Sequence, residues 1–342
     1  METRGILALG AIILFILVAS NFTLTASKYL DFWNANSPAK ISITLLEGCD
    51  ECTSLDSIVA SIKSKDVLVK TEQTKDFAKS KEVASDYGVD KLPAVIVEGD
   101  TNKLSLSGFR TEGNTLVYES QTAPYVKLPS GDVVGIIEIL YIDDSECEIC
   151  RGLEQIPEYL ESEGVYVSTI VTFEHDTAEE IINEYSIEFL PTMIILGDID
   201  AYPSVNQALI SISEIVDSAL VISALPPYKQ ISDGQIRGGV DLVYLQDASC
   251  TDCYNVELHQ VAISNLGIYL SSESDVDVGS VEGQNYVSTY NITAVPTILL
   301  MGDLEVYEGF ESVWNSVGTI ETDGTHVFRN MGAIGDVNYQ EI

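Results

Sequence analysis

The chain has 342 residues, long enough for two or three domains of ordinary size, each with a core of its own. A hydrophobic fraction of 46% and a mean hydropathy of +0.16 exclude a disordered chain. Lys and Arg number 17 against 53 Asp and Glu, a formal net charge of -36, which repels nucleic-acid phosphates and anionic lipid and leaves no role for nucleic acid.

At the N-terminus Arg4 precedes an apolar run over residues 5–19, which Phe22 and Leu24 extend through a weakly polar stretch. A membrane-spanning helix needs about 20 apolar residues and a signal-peptide core about 7–15, so the run lies between the two. We expect a cytoplasmic stub over residues 1–4, a transmembrane or signal-anchor helix over 5–26 and a linker over 27–39. A single cation before the run directs the rest of the chain out of the cytoplasm. Cleavage near Val18-Ala19-Ser20 would release the protein instead.

The six cysteines fall in three equal spacings: Cys49-Asp-Glu-Cys52, Cys147-Glu-Ile-Cys150 and Cys250-Thr-Asp-Cys253. The first cysteines are 98 residues apart (49 to 147) and then 103 (147 to 250), about one small domain each. A second signature follows each pair. Tyr87 opens YGVDKLPAVIVEGD, Tyr185 opens YSIEFLPTMIILGD and Tyr290 opens YNITAVPTILLMGD. Pro93 and Pro191 each lie 44 residues beyond their first cysteine (49 to 93, 147 to 191) and Pro296 lies 46 beyond its own (250 to 296).

Between these landmarks the periodicity predicts the order β-α-β-α-β-β-α in each repeat. An apolar strand (41–46, 135–142, 240–245) runs into a polar corner where Cys-x-x-Cys opens a helix. In the second repeat a buried strand is expected over 165–171, a shorter helix over 177–185 and a closing helix over 208–220. The closing helix of the first, around 114–120, is short. Pro- and Gly-rich linkers fall at 122–132 and 225–238. The expected domains are 40–124, 130–226 and 236–325, followed by a tail over 326–342 without a counterpart in the other repeats.

A strand, a Cys-x-x-Cys pair and a Pro opening a strand about 44 residues later together resemble the thioredoxin superfamily, over residues 40–324. The tandem arrangement resembles archaeal protein disulfide oxidoreductases and multi-domain protein disulfide isomerases. The resemblance implies an α/β fold class of three tandem thioredoxin-fold domains, each a central mixed sheet flanked by helices, after the N-terminal transmembrane helix. It also implies that Pro93, Pro191 and Pro296 are cis and face their own cysteines, and that Leu92, Leu190 and Val295 offer main-chain groups to an extended substrate peptide.

A cysteine at a helix N-terminus has its thiolate stabilised, which makes Cys49, Cys147 and Cys250 the candidate nucleophiles. Cys52, Cys150 and Cys253, one turn on, would resolve the mixed disulfide and re-form the pairs Cys49–Cys52, Cys147–Cys150 and Cys250–Cys253. The chain departs from the family in having no Trp before any pair, Trp33 and Trp314 being its only two, and no Pro, Gly or His between the cysteines. Carboxylates there instead oppose thiolate formation, so reducing or persistently oxidised pairs are expected.

Three explanations of the pairs stand: exchange with protein thiols and disulfides through an unidentified redox partner, permanent disulfides in a non-catalytic extracellular scaffold or surface assembly, and metal binding. Two thiolates per site are too few for a closed zinc site, so neither metal nor cofactor is expected. His175, His259 and His326 do not flank the pairs, and His259 reads as a polar-face helix residue. Asn21-Phe-Thr and Asn291-Ile-Thr are glycosylation sequons if the domains face outward. Homo-oligomerisation stays open.

Overall fold

The computed structural model describes residues 37–342. The expected segment 5–26 and the sequon at Asn21 lie outside the described residues, among which no helix is long and apolar enough to cross a membrane.

The described chain up to residue 136, joined by residues 200–202, forms one compact unit, and residues 137–199 with 203–342 form a second. In the first, the alternating AKISITLL of β1 (Ala39–Leu46) buries Ile41, Ile43 and Leu46. Helix α1 (Asp56–Lys63) buries Val59 and Ile62 and returns the chain to β2 (Val67–Lys75), which pairs parallel to β1. Asp76 caps α2 (Phe77–Asp86), its carboxylate accepting the Lys79 N–H at 3.0 Å. The two-residue β3 (Lys91–Leu92) precedes β4 (Ala94–Gly99), which runs antiparallel to β1, and β5 (Arg110–Glu112) and β6 (Thr115–Glu119) complete a sheet ordered β2-β1-β4-β6-β5. A second small sheet, β3-β7-β8, adds β7 (Tyr125–Lys127) and β8 (Asp132–Val134).

The second unit holds two repeats of this plan. The first contains β9 (Ile137–Asp143), α3 (Gln155–Ser162), β10 (Val167–Glu174), α4 (Glu179–Glu184), β11 (Phe189–Leu190), β12 (Thr192–Gly197), α5 (Pro203–Ile210), β13 (Glu214–Val216), β14 (Ala219–Ser223), β15 (Tyr228–Gln230) and β16 (Ile236–Arg237). Its sheets are ordered β10-β9-β12-β14-β13 and β11-β15-β16. The other contains β17 (Val240–Gln246), α6 (Leu258–Asn265), β18 (Leu270–Asp277), α7 (Val281–Tyr290), β19 (Ala294–Val295), β20 (Thr297–Gly302), α8 (Phe310–Trp314), β21 (Gly318–Ile320), β22 (His326–Phe328) and β23 (Gln340–Glu341), in sheets β18-β17-β20-β22-β21 and β19-β23.

The repeated Gly-Asp has a local cause. At Gly99 and Gly302 φ is +121° and +128°, and a Cβ would collide with the carbonyl oxygens of Lys40 and Gly239. The following Asp100 and Asp303 accept the N–H groups of Lys40 and Gly238 at 3.2 and 3.3 Å, tying the end of one central strand to the start of the other.

Four expectations are corrected. No closing helix follows the last core strand: residues 115–119 are β6, and 208–220 splits into the end of α5 and the hairpin β13-β14, turned by Asp217 and Ser218 at positive φ. In the second and third repeats a helix instead precedes the hairpin. Strand β10 is an exposed edge rather than a buried strand. The linkers fold as strands, and the tail supplies β22 and β23 to the third repeat.

Candidate functional site

All three pairs are disulfides, in the loops that leave β1, β9 and β17. The second cysteine closes a turn on the first, Cys52 N–H to Cys49 O at 3.2 Å and Cys150 N–H to Cys147 O at 3.4 Å. The expectation that each pair opens a helix is overturned: α1, α3 and α6 begin at Asp56, Gln155 and Leu258, beyond the reach of a helix dipole that falls off within the first turn.

In the first repeat the Cys49 N–H donates to Cys52 Sγ at 3.0 Å, and Cys52 Sγ lies 3.9 Å from the Leu92 carbonyl oxygen. The bonds Leu92–Pro93, Leu190–Pro191 and Val295–Pro296 are all cis. Cys49, Cys52, Gly48, Asp50 and Pro93 line one cavity of about 460 Å³, so disulfide and proline face a common space. Gly48 makes this approach close: a Cβ on it would lie 3.0 Å from Cys52 Sγ, from the Leu92 carbonyl carbon and from the Pro93 nitrogen.

The second repeat differs. Cys147 is 8% exposed, while Cys150 is only partly buried, the reverse of what an attacking Cys147 requires. Three residues before it, buried Asp144 lies 2.5 Å from Lys229 Nζ and 3.3 Å from His175 Nδ1 and accepts the Glu146 N–H at 3.0 Å. Burial alone would raise its carboxyl, but Lys229, the Glu146 amide and His175 hold it below the ordinary range. Directly after Cys150, Arg151 donates to the Gly267 carbonyl of the third repeat at 2.6 Å. His175 is thus brought beside the pair's loop, which its position in the sequence did not indicate.

In the third repeat Tyr254, next to Cys253, reaches the carbonyl of cis Pro296 at 2.8 Å and His259 Nε2 at 3.0 Å. His259 is buried against Phe328, not on a polar face, and burial lowers its pKa to about 4. His326 lies on β22 near Phe310 and Trp314.

The residues before the prolines are placed where a substrate strand would be sought, but their main chains are already paired. Leu92 faces Val126, Leu190 faces Lys229 and Val295 faces Gln340. All three side chains are fully buried. The sequon Asn291 is exposed, at the left-handed cap of α7. Among the described residues no three His, Cys, Asp or Glu gather to hold a metal ion.

No protein-family model matches the chain, and no curated protein does. Solved structures similar to parts of it include ERdj5 form I, at 10% identity over 85% of this chain and 38% of that one with a TM-score of 0.18. Human ERp44 form II is similar at 10% identity over 78% of this chain and 77% of that one, with a TM-score of 0.15. The AhpF component of Enterococcus faecalis alkylhydroperoxide reductase, in a C503A mutant, is similar at 16% identity over 49% and 83%, with a TM-score of 0.16. The chain spans less than half the length of ERdj5. At these scores the likenesses add nothing to the chain's own topology. A parallel β-α-β start, an antiparallel continuation, a Cys-x-x-Cys disulfide after the first strand and a cis-proline opening the next central strand give each of the three repeats the element order of a thioredoxin-like fold.

Proposed function

We propose that the chain is a thiol-disulfide oxidoreductase of protein substrates, held by its N-terminal segment at the outer face of a membrane. The observation that carries this reading is the cavity shared by Cys49, Cys52 and cis Pro93. With the pair reduced, one cysteine thiolate attacks a substrate disulfide, forming a mixed disulfide and releasing one substrate thiolate. The other cysteine thiolate then displaces the second substrate sulfur and closes the pair. Two electrons pass to the substrate, and an external dithiol partner must return them. The carboxylates of Asp50 and Glu51 disfavour thiolate, which supports a low-potential, reducing role.

The test is insulin-disulfide reduction by the detergent-solubilised full chain, with each pair trapped by alkylation in glutathione buffers of graded poise. Turnover lost in Cys49→Ser supports the reading; absence of turnover, with no pair labelled under mild reductant, refutes it. One observation favours a second reading, permanent disulfides in an extracellular scaffold or surface assembly: the pre-proline main chains are occupied by the chain itself.

A further inference from the structure

The same short segment recurs after each core sheet, in the same place. The Asp90 carbonyl accepts the Leu128 N–H at 2.8 Å, Glu188 that of Ile231 at 2.9 Å and Thr293 that of Ile342 at 2.9 Å. Antiparallel partners alternate between hydrogen-bonded and open pairs, so two residues along, Leu92 with Val126, Leu190 with Lys229 and Val295 with Gln340 are again bonded pairs. The other side of each segment is held by the residue that follows the second cysteine. Thr53 N–H donates to Pro124 O at 3.2 Å, Arg151 N–H to Pro227 O at 2.9 Å and Tyr254 N–H to Asn338 O at 3.0 Å. Three residues therefore bridge the cysteine loop and the pre-proline strand: Pro124-Tyr125-Val126, Pro227-Tyr228-Lys229 and Asn338-Tyr339-Gln340. The central residue is tyrosine each time.

In two repeats that ring packs on the residue before the pre-proline position: Lys91 Nζ lies 4.2 Å from the Tyr125 ring centre, and the Phe189 and Tyr228 rings are 4.5 Å apart. The third residue contacts the position three before the first cysteine by a different chemistry in each repeat. Val126 shares a buried apolar cluster with Leu46, Lys229 pairs with Asp144 at 2.5 Å, and the Gln340 side chain hydrogen-bonds Asp247.

We propose that each segment is a built-in occupant of the peptide groove, and that the groove recognises extended protein segments carrying an aromatic residue, which must displace it to pair with the pre-proline strand beside the disulfide. Main-chain pairing supplies the register and the tyrosine site the selectivity, as in strand addition to a sheet edge. The proposal rests on the oxidoreductase reading for its biological use, but not for its chemistry. In the exchange step a peptide thiolate attacks one sulfur of the pair, forming a mixed disulfide and releasing the other as thiolate, with no further oxidant or reductant.

The test ends the chain at Val337, which uncovers only the third groove. Reduction of each pair is followed by alkylation and mass spectrometry, using dithiothreitol and an unstructured peptide containing Tyr and one Cys. The expected result is peptide-thiol attack on Cys250–Cys253 faster by about tenfold or more, a dithiothreitol rate changed by less than about threefold, and the other pairs unaffected. A synthetic peptide of residues 336–342 should restore slow attack, and Tyr228→Ala in the full chain, which removes the ring packed on Phe189, should speed peptide-thiol attack at Cys147–Cys150. An unchanged peptide-thiol rate on truncation, or an unchanged rate in Tyr228→Ala, overturns the proposal. If truncation also loosens β17 and β20, seen as faster amide exchange there, Lys229→Pro in the full chain gives the same decision at Cys147–Cys150, because it removes the N–H paired with Leu190. Faster exchange without catalytic turnover refutes the enzyme reading alone; turnover with unchanged exchange refutes this proposal alone.

Discussion

Acid should weaken the third repeat through one buried imidazole. His259 is 8% exposed, its ring 4.5 Å edge-on from Phe328 and its Nε2 3.0 Å from the Tyr254 hydroxyl, and burial lowers its pKa to about 4. As pH falls, the unfolded chain takes up the proton first, near the ordinary value of about 6.5. The stability tied to neutral His259 is therefore fully present above about pH 6.5 and lost between there and about pH 4. At 1.36 kcal/mol per pH unit, the loss between pH 7 and pH 4.5 is about 2.5 kcal/mol, a large share of a domain's 5–15 kcal/mol. Urea titrations at the two pH values, read by amide exchange in β17 and β20, measure it. His259→Leu should fall by about 2.5 kcal/mol less than the wild type over this interval, whatever its stability at pH 7. Equal losses in the two proteins would refute the argument.

Lys229→Met should free β15 from β11 by removing the cation 2.5 Å from Asp144, at a cost of about 1.5–3 kcal/mol for a charge-assisted hydrogen bond. Because Asp144 is held below its ordinary pKa, its contribution is present above about pH 4 and is lost on acidification; the variant, without the cation that lowers it, should show a smaller acid loss, seen in the exchange of the Ile231 amide. Gly48→Ala should destabilise the first repeat by about 1–3 kcal/mol, since its Cβ would meet three atoms at 3.0 Å, and should change the reduction rate of Cys49–Cys52 alone. Gly302→Ala should cost more than Gly88→Ala in the same urea assay, because only the former puts a Cβ onto a carbonyl oxygen, whereas Gly88 at φ +58° has nothing within 4 Å.

The cysteine-to-proline spacing was enough to read the repeat, because the loop after the first strand and the opening of the next central strand must meet across a fixed distance. The Gly-Asp signature was visible, although its cause, a close approach to the neighbouring strand, needed coordinates. The closing helices that the sequence predicts are absent for a specific reason. Residues 208–220 carry helical apolar spacing, but Asp217 and Ser218, at φ +46° and +72°, make the two-residue turn of a hairpin without the Asn-Gly that usually announces one. In the first repeat Gly113, at φ +57°, turns β5 into β6, and Gly113-Asn114 was a usable signal. The occupants of the grooves escaped because three residues with one shared tyrosine are too little pattern, and the second and third partners differ with the position three before each pair. Asp144 could be singled out only as a carboxylate near Cys147; that Lys229 and His175 converge on it is a property of the fold.

Each groove is covered by residues that follow its own core sheet in the chain: 124–127 come after β6, 227–230 after β14 and 338–341 after β22. During synthesis from the N-terminus, the cysteines and the central strands of a repeat leave the ribosome before its cover exists. Every pair is therefore made before the residues that cover it. Within each repeat the cover is thereby the last part to be made, after the cysteines and the strands it closes.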